Sequence, residues 1–133
     1  MVNVEGDYIY MKISSFNPLV VSRDSSDLVK LFEELGFKQI HNPENVNETG
    51  ASDTNLKDDN GFRVDVAQIN DPIPQDMTFI KMNVDNFEEA YEILTRHGFK
   101  NTRGDNTLDN PTSKSATMVS PTGLIIALVH HVK

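Results

Sequence analysis

Arg63 and Asp65 stand two residues apart in the run Phe62-Arg63-Val64-Asp65-Val66-Ala67. The run alternates as a half-buried strand does, so the two charged side chains share one face. Lys81 occupies a similar position in Phe79-Ile80-Lys81-Met82-Asn83-Val84. A charge removed from water is costly unless a counter-charge or a ligand meets it. Two readings follow. One is an internal Arg63–Asp65 or Lys81–Asp65 bridge. The other is a polar anchor for a ligand's carboxylate, phosphate or amine, with Phe16 and Phe79 as aromatic walls. The imidazoles are His41, His97, His130 and His131. His130 and His131 are neighbours on a strand and point to opposite faces, so they cannot chelate one ion together. His131 shares parity with Ala127 and reaches the rim of the same face, or is simply a surface histidine. No Ser-His-Asp order, phosphate-cradling glycine loop or paired-carboxylate spacing stands out. The chain has no cysteine, which excludes disulfides, thiolate metal sites and cysteine nucleophiles.

The elements that must position these residues are written twice. Gly36-Phe37-Lys38 recurs 62 positions later as Gly98-Phe99-Lys100, and the same offset carries Leu56 onto Met118 and Gly61 onto Gly123. It also carries the Arg63–Asp65 run onto Leu124-Ile125-Ile126-Ala127-Leu128-Val129. Apolar residues at helical spacing precede each Gly-Phe-Lys: Leu28, Leu31, Phe32 and Leu35 in the first copy, Ala90, Ile93 and Leu94 in the second. The spacing predicts helices over 26–35 and 87–97, capped by Asp24, Ser25 or Ser26 and by Asn86, and closed by left-handed Gly36 and Gly98. Short β-like runs precede both helices, at Phe16–Val21 and Thr78–Val84. Asn60-Gly61 and Pro121-Thr122-Gly123 read as hairpins. Each copy therefore reads β-α-β-β-β, and the fold class is α+β: two such units with pseudo-twofold symmetry, their curved sheets enclosing a cleft. The expected organisation is an extension over 1–10, then one domain over 11–133 with repeat units near 11–70 and 77–133. Tyr8-Ile9-Tyr10 could form an added edge strand, or Met11 could be the original start. The stretches 42–53 and 101–114, rich in Asn, Asp, Thr and Pro, read as loops. Strand parity puts Leu19 and Val21 with Ile80, Met82, Val84, Phe62, Val64, Val66, Leu124, Ile126 and Leu128 on an apolar, helix-covered face. It leaves Phe16, Pro18 and Val20 on the mixed face.

The formal charge of −8 and a pI near 4.8 do not suit nucleic acid, which needs a basic stripe. An acidic balance keeps a protein dissolved or attracts a cationic ligand. No apolar run approaches the roughly 20 residues of a membrane span. Met1-Val2-Asn3-Val4-Glu5 lacks the marks of a signal peptide, so the expectation is a cytoplasmic protein.

The paired units, Val84-Asp85-Asn86 before the second helix and Ser120-Pro121-Thr122-Gly123 before the last strand resemble the vicinal-oxygen-chelate superfamily. That superfamily holds glyoxalase I, bleomycin-resistance proteins, fosfomycin-resistance enzymes and extradiol dioxygenases. The resemblance implies an incomplete barrel, often homodimeric. It also implies a metal test. Metal-using members place a His five residues before the Val that ends each first strand; here that position is Phe16 (Asn17 if the alignment slips) in one copy and Phe79 in the other. They place a Glu four residues after the last hairpin Gly, which here is Ala127, with Asp65 as its symmetric counterpart. One Asp among Phe, Phe and Ala falls short of the three or so ligands a catalytic divalent ion usually takes. The expectation is a metal-free, cofactor-free small-molecule-binding protein of the bleomycin-resistance kind, with catalysis left open. Its ligand site is Phe16, Arg63, Asp65, Phe79, Lys81, Ala127 and His131, for a flat or cationic organic molecule. The alternatives are a metal-dependent lyase, isomerase or dioxygenase with displaced ligands drawn from His41, Glu44, Glu48, Asp65 and His131, or a regulatory module whose cleft is filled by its own side chains.

Overall fold

The computed structural model describes residues 11–40, 52–104, 106–110 and 113–131. The first repeat comprises strand β1 (Ile13–Ser22), helix α1 (Ser25–Glu34) and strands β2 (Lys38–Ile40), β3 (Ser52–Lys57) and β4 (Arg63–Gln68). The second comprises β5 (Met77–Val84), α2 (Phe87–Arg96), β6 (Lys100–Asn101), β7 (Leu108–Asn110), β8 (Ser113–Val119) and β9 (Ile125–His131). The β-α-β-β-β order expected of each copy is present, and the fold is α+β. One departure is β7, in the stretch read as loop, which pairs with β8 through Leu108↔Ser115.

The chain forms two compact units, and their boundaries do not follow the repeats. One unit holds residues up to Phe16 and from Lys81 onward; the other holds Asn17–Ile80. Both first strands, β1 and β5, are thus divided between units. In the 17–80 unit the strand order is β2-β3-β4-β1. β1 runs parallel to β4, with Leu19 beside Asp65, and β3 runs antiparallel to β4. In the other unit the order is β1-β5-β9-β8-β6.

The two repeats end their helices and turn their hairpins by the same bonds. After α1, Gly36 N–H donates to Glu33 O and Phe37 N–H to Phe32 O; after α2, Gly98 N–H donates to Thr95 O and Phe99 N–H to Leu94 O. These are paired Schellman closures, and both glycines take positive φ, 110° and 89°. In the hairpins, Asp58 Oδ1 accepts from the N–H of Asn60 and Phe62. Ser120 Oγ accepts from Leu124 N–H at the equivalent place. A carboxylate and a hydroxyl perform one turn-closing task at positions 62 apart.

In the 17–80 unit, α1 packs on β4 and β2. Leu56, Val64 and Val66 form the buried centre, with Val20, Leu28, Val29, Phe32 and Phe37 against it. This reverses the face expected for β1. Val20 lies on the helix side, and Leu19 and Val21 are buried on the other. Apolar residues occupy both parities of β1, so alternation alone could not say which side meets the helix. In the other unit α2 packs on β9, and Met82, Val84, Phe87, Ala90, Leu94, Met118, Ile126 and Leu128 are buried.

Asp24 caps α1 by accepting from Ser26 N–H at 3.2 Å and Ser26 Oγ at 2.7 Å. The Ser26 hydroxyl, then its backbone N–H, hold the carboxyl below its ordinary value of 3.8. A carboxyl lowered on folding stabilises the fold above its ordinary pKa and loses that contribution as pH falls through the lowered one. The gap in urea midpoint between the parent and Asp24→Ala is therefore expected to be widest near neutrality. It should close as the pH drops below about 4. A gap independent of pH would place the cap's contribution outside the carboxylate.

Candidate functional site

The face of β4 away from α1 carries Arg63, Asp65 and Ala67. Asp65 is fully buried. Its Oδ1 accepts from Asn55 Nδ2 at 2.6 Å, and its Oδ2 accepts from Asn17 Nδ2 at 3.2 Å. Strand pairing produces the cluster. Asn55 lies directly across the β3–β4 ladder from Asp65, and Leu19, two residues beyond Asn17 on β1, lies across from it on the other side. Both asparagines are themselves buried, at 1% and 5% exposure.

The orientation of Asn17 follows from its surroundings. Its Nδ2 donates to Asp65 and also to the Pro18 carbonyl at 2.9 Å. A reversed carboxamide would set its oxygen against a carbonyl and a carboxylate, neither of which can donate. Asn17 Oδ1 is thereby turned away from both, and it is buried without a hydrogen-bond partner. Arg63 is half-buried, and its Nε is likewise buried and unpartnered. Arg63 makes no ion pair among the described residues, so the Arg63–Asp65 bridge is not formed. Residues two apart on a strand have Cα atoms separated by about 6.5–7 Å, and Asp65 is held by carboxamides instead.

The other expected site residues are placed as follows. Phe16 is 61% exposed. The alternation of β1 sets it with Pro18 and Val20, opposite Asn17, so the wall expected from Phe16 on the Asp65 face is replaced by Asn17. Phe79 is half-buried on β5 within the 17–80 unit. Lys81 and Ala127 are half-buried and belong to the other unit, where Ala127 pairs with Thr117. His131 ends β9; His41, Glu44 and Glu48 lie outside the described residues. His130 Nδ1 donates to the Val84 carbonyl at 2.8 Å, the only role a ring nitrogen can take toward a carbonyl. Asn55 was missed by sequence reasoning. Its signal was the hairpin register, which depends on a loop length that Asn60-Gly61 alone does not give.

At the positions that the resemblance assigns to metal ligands stand Phe16 (or Asn17), Phe79, Ala127 and Asp65, the last tied to two carboxamide groups; among the described residues no three His, Cys, Asp or Glu side chains gather.

This α+β arrangement of two β-α-β-β-β repeats is the vicinal-oxygen-chelate fold. Maize glyoxalase I aligns over 90% of this chain with a TM-score of 0.65 and 16% identity. Methylmalonyl-CoA epimerase from Mycobacterium tuberculosis aligns over 98% of this chain and 97% of its own, with a TM-score of 0.66 and 10% identity. A glyoxalase/bleomycin resistance protein/dioxygenase superfamily member from Vibrio splendidus aligns over 90% and 99%, with a TM-score of 0.59 and 16% identity. This chain spans 44% of the length of the maize glyoxalase chain. No protein-family model matches the sequence, and no curated protein matches it significantly.

Proposed function

We propose that this protein binds a small organic molecule on the Asp65 face without a metal ion, as a cytoplasmic homodimer of the glyoxalase/bleomycin-resistance type. The observation that carries the reading is the Asn17 carboxamide. Its oxygen is a buried acceptor that no group among the described residues meets, and burying an unpaired polar atom costs about 1–3 kcal/mol. A hydroxyl or N–H of a ligand would remove that cost. The second repeat supports the reading by contrast. Asp65 and Asn55 correspond at the 62-residue offset to Ala127 and Thr117, so the fold itself does not require a buried carboxylate here. Asp65 holds the carboxamide in place, and the ligand takes the hydrogen bond. Sedimentation equilibrium tests the dimer.

Calorimetric titration with Zn²⁺, Ni²⁺, Mn²⁺ and Fe²⁺ is expected to show no stoichiometric tight site. A micromolar site that disappears in Asp65→Ala would overturn the metal-free reading. A compound found by mass spectrometry of the purified protein, or by screening, is expected to lose most of its affinity in Asn17→Leu, which keeps the branched shape and removes the acceptor together with the donor to Asp65. Unchanged affinity in a folded Asn17→Leu protein would remove this site from binding.

A further inference from the structure

We propose that Lys38, Lys57 and Arg63 form a site for the anionic group, a phosphate or a carboxylate, of a small ligand. The proposal rests on the reading that this face takes a small molecule, and it assigns the sign of that molecule as negative.

The strand register brings the three cations into one row. Lys38 of β2 lies directly across from Lys57 of β3, and Lys57 directly across from Arg63 of β4. Directly paired residues point to the same side of a sheet. The intervening positions settle which side. Leu56 and Val64 belong to the helix-covered core, and Gln39 donates to Glu33 on α1. The row therefore lies on the other side, with Asn55 and Asp65 in the next rung. At the usual spacing of neighbouring strands, its Cα positions span about 10 Å.

Like charges placed directly opposite destabilise a sheet, and little here relieves them. Among the described residues, the one ion pair of the three is Lys38 Nζ to Asp59 at 3.7 Å, between side chains 80% and 89% exposed; such pairs contribute little. Asp58 is occupied by the hairpin's N–H groups, and Asp65 by Asn17 and Asn55. Arg63 Nε, buried and without an acceptor among the described residues, is a donor awaiting one. The fold does not need the row. At the 62-residue offset the second repeat has Lys100, Val119 and Ile125, in the same ladder register, and there two of the three positions are apolar. In a chain of formal charge −8, three aligned cations beside an unpartnered guanidinium nitrogen match an anion held by a planar fork and two ammonium groups.

The test is a titration of ¹⁵N-labelled protein, followed by NMR at constant ionic strength, with inorganic phosphate, with succinate, and with chloride as control. Saturable shifts centred on Lys38, Lys57 and Arg63 are expected for at least one of the two anions, and which one saturates names the group. Affinity should fall about tenfold or more in Arg63→Gln and in Lys57→Gln, the loss of one charge-assisted hydrogen bond. It should stay at the parent value in Lys100→Gln. Lys57 is exposed, so its variant keeps the test readable if Arg63→Gln fails to fold. Saturation no tighter than chloride, or parent affinity in folded Lys57→Gln and Arg63→Gln, overturns the proposal. If the anions fail while a neutral compound binds the parent and not Asn17→Leu, the anion site alone falls. If no compound binds, the small-molecule reading falls with it.

Discussion

Asp65→Ala is expected to lower stability by about 3–5 kcal/mol, the range for breaking a buried polar network by removing one member. The variant takes away the acceptor of Asn55 at 2.6 Å and of Asn17 at 3.2 Å. Both carboxamides are buried where bulk water does not reach them, so neither donor is rehydrated without local opening. The vacated volume adds a cavity term. Urea unfolding followed by circular dichroism measures the effect as a lower midpoint at an unchanged slope. Asp65→Asn keeps the shape and at least one acceptor, and is expected to lose clearly less. Equal losses in the two variants would show that the charged carboxylate with both its acceptors, and not the packing or a single hydrogen bond, is what Asp65 supplies. A loss under about 1 kcal/mol in Asp65→Ala would show that water enters the site freely.

Gly98→Ala is the second large effect, expected to cost about 2–4 kcal/mol against about 1–2 for Gly36→Ala. Both glycines follow a helix in the same Schellman closure and both have positive φ, so the backbone strain of a Cβ is common to them. Their surroundings differ. A Cβ on Gly98 would stand 2.9 Å from Pro121 Cγ and 3.3 Å from its Cδ, whereas a Cβ on Gly36 meets nothing within 4 Å. The proline ring cannot swing aside as a long side chain can, so the contact adds an overpacking cost. Thermal unfolding of the two variants provides an internal control, because the repeat holds the local geometry nearly constant. Equal shifts would mean that the Pro121 turn yields to the extra methyl group.

Much of the architecture was legible because it depends on local chemistry. The apolar spacing of Leu28, Phe32, Ala90 and Leu94, the caps at Asp24 and Asn86, and the helix-ending Gly36 and Gly98 each act within a few residues. The 62-residue offset exposed the repeat before any strand was paired. Three features depended on pairing between distant segments. The facing of β1 was one: Val20 and its neighbours Leu19 and Val21 are all apolar, so either side could have met α1, and only packing against Leu56, Val64 and Val66 decided it. The reversal exchanged Phe16 for Asn17 on the Asp65 face.

The second was the partner of Asp65. Asn60-Gly61 announced a hairpin, but the turn closes from Asp58 to Phe62, which places three residues in the loop. A two-residue loop would have slipped the pairing and set Leu56 across from Asp65. The third was the cation row, whose members come from three strands with no fixed spacing in sequence. The sequence by itself determined the repeat and the helix ends, since these follow from residue type and near neighbours. Tertiary structure alone decided that Asp65 is held by two asparagines and that Lys38, Lys57 and Arg63 stand in line, because register is fixed by loop length and core packing together.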